Sequence, residues 1–67
     1  MRIAIGDRFV GQIGAGPFAG KVVEVVSTTA RNLRFQELRA ESPVNAMMIW
    51  KSSRKRFEEE FEREVTR

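Results

Sequence analysis

The sequence predicts a mainly β fold, a small curled sheet of four to five short strands with a C-terminal helix packed on it. Three observations carry that prediction. All five glycines and both prolines fall within residues 1–50, between short alternating or valine-rich runs. Residues 51–67 contain neither and read as one charged helix. That helix offers a single narrow apolar stripe, so it forms no core alone and must cover the sheet.

The first strand is predicted at Arg8–Ile13, where Phe9, Gly11 and Ile13 share one face. Residues 14–21 (GAGPFAGK) then connect two strands. The second strand, Lys21–Thr28, is dense in valine, a stiff β-branched residue that suits a pleated sheet. In the third, Asn32–Leu38, Leu33 and Phe35 point inward and Arg34 and Gln36 outward. Glu37 breaks that alternation, which places a bulge or the strand end there. Ser42–Pro43 marks a turn, and Ala46–Trp50 reads as the last short strand. Ser52 or Ser53 can cap the helix, along which Phe57, Phe61 and Val65 recur at four-residue spacing.

With 67 residues the chain holds one domain, divided into a sheet over 1–50 and a helix over 51–67. A chain this short buries only about 60% of its unfolded surface, so its core is small. It has no cysteine and no histidine, which excludes disulfides, thiolate metal sites, a cysteine nucleophile and imidazole catalysis. No apolar run is long enough to span a bilayer, and the opening residues Met1–Ile5 are too short for a signal peptide. These features lead us to expect a soluble, cytoplasmic protein. Twelve basic residues against nine acidic ones leave a net charge of +3, a balance that permits phosphate binding without demanding it.

The glycine stretch poses the question of a phosphate loop. Ala15 and Gly20–Lys21 satisfy the frame of a Walker motif. The next residue, however, is Val22, so the hydroxyl that would hold magnesium is missing. Pro17 removes a backbone donor, and the loop leads into a strand rather than a helix N-terminus. A dinucleotide fingerprint fails as well: Gly14 and Gly16 are spaced correctly, but Ala19 holds the third position. The stretch is therefore read as a strand connection.

The same region resembles the KOW-type SH3-like barrels of ribosomal and transcription-elongation proteins. Gly6–Asp7, Gly16–Pro17–Phe18–Ala19–Gly20 and the strand Val22–Val26 follow their order, over residues 5–35. The chain departs from that pattern at Lys21, where such domains usually keep a glycine a few residues after the loop, and its loop is short. The whole chain is also similar to small SH3-like barrel proteins of phages and mobile elements, through the opening IGDRF and the run Phe57–Glu58–Glu59–Glu60–Phe61. The resemblance implies an SH3-like barrel whose strands and loops bind a partner.

The densest positive cluster is Lys51, Arg54, Lys55 and Arg56, beside Trp50, which can stack on a base. The competing reading is a solvated face, with Arg54–Glu58, Lys55–Glu59 and Arg56–Glu60 all spaced for ion pairs. Cations in the first helical turn and anions near the end both oppose the helix dipole, which favours a binding role. Arg31, Arg34 and Arg39 flank the third strand as a second basic surface. Phe18 either folds back on the core or presents an aromatic ring at a loop tip. Trp50, Met47 and Met48 read first as packing residues, and an outward methionine could join Phe18 or Trp50 in an apolar patch. Most of the glutamates at 58, 59, 60, 62 and 64 face water along the predicted helix, no cleft gathers them, and the serines and threonines have no base to activate them.

The expected function is thus a non-catalytic nucleic-acid-binding module for RNA or DNA, using Phe18, Arg31, Arg34, Arg39, Trp50, Lys51, Arg54, Lys55 and Arg56. No cofactor and no metal is expected. Two alternatives stand beside it. One is a protein-interaction factor, such as a phage-encoded inhibitor docking on a host or defence complex. The other is a structural homodimer.

Overall fold

Five antiparallel strands make up the sheet in a computed structural model that describes residues 2–39 and 43–65. They are β1 (Arg8–Gly11), β2 (Val22–Thr28), β3 (Asn32–Glu37), β4 (Ile49–Ser53) and β5 (Phe61–Arg63). Two short helices, α1 (Pro43–Met47) and α2 (Arg54–Glu60), flank β4. The strand order is β4-β3-β2-β1-β5: a four-strand meander whose last strand returns to pair with the first.

This order forces the sheet to curl. β4 and β5 are its two edges, yet only the seven residues of α2 separate them in sequence. Seven helical residues span about 10 Å. Five flat strands would hold the edges about 19 Å apart. The sheet therefore bends toward itself without the edges pairing, and α2 lies across the gap.

The predicted alternation holds in the central strands. Phe9, Val23, Val25, Leu33 and Phe35 are all buried and form one core with Ile3, Ala15, Phe57 and Phe61. Every phenylalanine of the chain makes ring contacts in this cluster. Phe57 and Phe61 stack at 4.3 Å between centroids, and Phe9 meets the edge of Phe57 at 5.0 Å. Such pairs add about 0.5–1.5 kcal/mol each beyond area burial. β3 ends at Glu37, where the alternation fails, and the irregularity in the ladder lies instead on β2 between Val25 and Ser27.

Three boundaries differ from the sequence reading. β1 stops at Gly11, and Ile13 is 96% exposed rather than inward, because a 3-10 segment begins there. That segment, Ile13–Phe18, kinks at Gly16, whose φ of 62° favours glycine. The expected strand Ala46–Trp50 is split. Residues Pro43–Met47 form α1, and the strand runs Ile49–Ser53. Trp50 sets that register by lying opposite Phe35, while the Gln36 side-chain amide donates to the Ala46 carbonyl at 2.7 Å. Of the expected Ser42–Pro43 turn, Ser42 lies outside the described residues, and Pro43 opens α1, a position that suits its fixed φ.

The helix expected over 51–67 is the third correction. Lys51 to Ser53 belong to β4, α2 has seven residues, and the chain turns extended at Phe61. The helix yields there because the free edge of β1 needs a partner. β5 supplies it, in a ladder continued at both ends by Gln12 N–H to the Glu60 carbonyl and Glu64 N–H to the Arg8 carbonyl. Phe61 still stacks under Phe57, since its N–H donates to the Phe57 carbonyl at the helix end. Val65, the third member of the expected stripe, is 77% exposed.

Arg63 ties β5 to the start of the chain. Its guanidinium pairs with Asp7 at 3.1 Å, donates to the Arg2 carbonyl at 2.6 Å and lies 4.9 Å from the Phe9 ring centre. The Ala4 N–H and then Arg63 hold the Asp7 carboxyl below the ordinary aspartate range.

Candidate nucleic-acid interface

β4 is an edge strand, so its side chains border open space on one side. Trp50, opposite the core residue Phe35, falls on the inner face. Lys51 and Ile49 fall on the outer face, beside Arg34 and Gln36 respectively. The 3-10 segment folds Phe18 back onto the core rather than out at a loop tip. Its ring meets Phe35 and Trp50 edge-on at 5.2 Å each. Gly11 makes that return possible, because a β-carbon there would overlap the Phe18 carbonyl.

Between β4, α2 and the 3-10 segment lies a groove of about 490 Å³. Phe18, Phe35, Trp50 and Phe61 form its aromatic wall, and Lys51, Arg56 and Glu60 stand among its polar lining. Ala15, Pro17, Ser52 and Ser53 complete it. Trp50 is half-buried, and its Nε1–H is buried without a hydrogen-bond partner. An unmade bond of this kind costs about 1–3 kcal/mol.

The cations distribute unevenly around this groove. Lys51 lies on the ridge between it and a smaller hollow of about 240 Å³ that Arg34 also lines. Arg34 and Lys51 are cross-strand partners, both exposed, and neither has an ion-pair partner among the described residues. Like charges directly opposite each other destabilise a sheet. Arg56 pairs with Glu60 at 3.0 Å, the i, i+4 contact expected.

Arg54 takes a different place from the one its spacing suggested. It is half-buried, and its guanidinium donates to the Thr28 hydroxyl at 2.8 Å and the Thr29 carbonyl at 3.2 Å. With its own N–H donating to the Arg31 carbonyl, it clamps the β2–β3 turn to the start of α2. Arg31 and Lys55 are exposed, Arg31 at that same turn and Lys55 in the first turn of α2. Arg39 sits at the opposite end of β3, in a left-handed turn with φ of 57°, away from the rest. The structure thus gathers Phe18, Trp50, Lys51 and Arg56 at one groove, sets Arg34 beside it, and leaves Arg39 apart.

Sequence reasoning missed Ala15, Pro17 and Glu60 as parts of the groove. Glu60 was legible only as the partner of Arg56. Nothing in the local sequence signals that residues 15 and 17 would face α2. Among the described residues, no group of three or more acidic side chains converges to hold a metal ion. No helix among them is long and apolar enough to cross a membrane. Comparison of the chain with protein-family models, with curated proteins and with solved structures finds no match.

Proposed function

We propose that the chain is a small SH3-like barrel that acts in the cytoplasm as a non-catalytic nucleic-acid-binding module. The curled meander with a returning fifth strand supports the barrel assignment. The groove carries the functional one: an aromatic wall of Phe18 and Trp50 stands beside two cations, Lys51 and Arg34, that repel each other and have no acidic partner among the described residues. Aromatic faces stack on bases, and unneutralised cations at their edge attract phosphate.

Fluorescence anisotropy with labelled DNA and RNA, at low and physiological salt, tests this reading. Binding should weaken steeply with salt. Changing Arg34 and Lys51 together to Gln should lower affinity and flatten the salt slope by about one unit for each phosphate that is no longer engaged. Absence of binding at low salt would end the proposal.

A second reading draws on one specific feature. Val44, Met47, Met48 and Ile49 are exposed together around α1, with Met47 at 81%. This patch excludes Phe18, which faces the core, and it suits a protein partner or a second copy of the chain. Sedimentation of the free protein separates the two: a monomer that binds no nucleic acid would favour a protein partner.

A further inference from the structure

We propose that the groove between β4 and α2 receives an unpaired nucleobase, so that the protein selects single-stranded over double-stranded nucleic acid. The inference rests on the nucleic-acid reading above and specifies which form of nucleic acid that site takes.

The groove divides its charge. Its wall is aromatic, with Trp50 and Phe18 presenting ring surface. At its rim Arg56 is already matched by Glu60 at 3.0 Å. A phosphate pushed into the groove would meet the Glu60 carboxylate and an arginine whose charge is spent. A neutral base meets neither difficulty, and every base has a π-face that an indole can cover.

The unspent charge lies outside, on the ridge. Lys51 borders both the groove and the smaller hollow, and Arg34 stands opposite Lys51 across the β3–β4 ladder. A base seated on Trp50 would carry its own phosphates over this ridge, onto the two cations without acidic partners among the described residues. Anionic ligand would also relieve their mutual repulsion. A duplex cannot use this arrangement, because the faces of its bases are stacked on one another and only phosphates, sugars and base edges reach the surface. It would meet the ridge and leave the aromatic wall empty.

The test uses the unaltered protein and four probes of equal length: single-stranded DNA, single-stranded RNA, duplex DNA, and a single strand whose central nucleotides are abasic. Affinity is read by anisotropy. Trp50, the one tryptophan in a chain without tyrosine, reports on the groove by its own emission. Either intact single strand should bind about tenfold more tightly than the abasic strand and the duplex, and should quench Trp50. The sugar that binds better identifies the source of the base, and base dependence with either one supports the proposal. Equal affinity for intact, abasic and duplex probes, or binding that leaves Trp50 emission unchanged, would overturn it while leaving nucleic-acid binding intact. Failure of every probe at low salt would remove both.

Discussion

A side chain at Gly11 has nowhere to go. The backbone of β1 runs against that of Phe18, with Gly11 N–H donating to the Lys21 carbonyl and the Gly11 carbonyl accepting from Gly20 N–H. A β-carbon there would overlap the Phe18 carbonyl and crowd Ala15. Gly11→Ala should therefore push the 3-10 segment off the core and cost about 1–3 kcal/mol, the range seen for overpacking. A urea melt followed by Trp50 emission would read the loss, and an unchanged midpoint would show that the segment shifts freely. Of the residues nominated from sequence, Phe18 owes its place to this same close approach. Arg54 shows the opposite case, a cation whose spacing suggested a surface pair but whose guanidinium serves a turn.

The elements show where periodicity informs and where it misleads. Of the two serines expected as caps, Ser53 takes the role: its Oγ accepts from Arg56 N–H at 3.2 Å. Ser53→Ala should cost about 1 kcal/mol in a urea melt. An effect near zero would mean that packing of Phe57 alone holds α2. The helix itself is shorter than its sequence suggested. Phe57 and Phe61 at four-residue spacing read as a continuing stripe, yet the same spacing is met by a helix that ends at Glu60 and a strand that begins at Phe61. Local pattern does not separate these cases, because the deciding partner, the edge of β1, lies some fifty residues earlier. The five-residue α1 illustrates the same limit, since its Ala46 and Met47 read as the start of a strand but belong to a helix that buries nothing.

At the scale of the whole molecule, β5 is tied to the residues that precede β1. Asp7 accepts from Ala4 N–H at 2.9 Å and pairs with Arg63, which in turn holds the Arg2 carbonyl. Folding lowers the Asp7 pKa, so this tie contributes stability above the ordinary aspartate value of about 4. That contribution is lost as pH falls through the lowered value. Urea midpoints measured from about pH 5 down to about pH 2 should fall for the native chain and fall less for Asp7→Asn. Equal slopes for the two would show that other carboxylates carry the acid sensitivity. The pair is solvent-exposed, so the difference should be small and should shrink with added salt.

The sequence by itself determined the mainly β class, the inward faces of the central strands, a serine cap at one of two neighbouring serines and the place of residues 14–21 between two strands. These depend on neighbours in the chain: side-chain period, backbone freedom and the residues next in line. Only the tertiary structure decided that the helix gives way to β5, that Phe18 turns inward, that Arg54 becomes a clamp and that Trp50, Lys51 and Arg56 share a groove. Each of those outcomes follows from satisfying a backbone edge or filling a gap in the core. Residues distant in sequence create those needs, and the curl of the sheet brings them together.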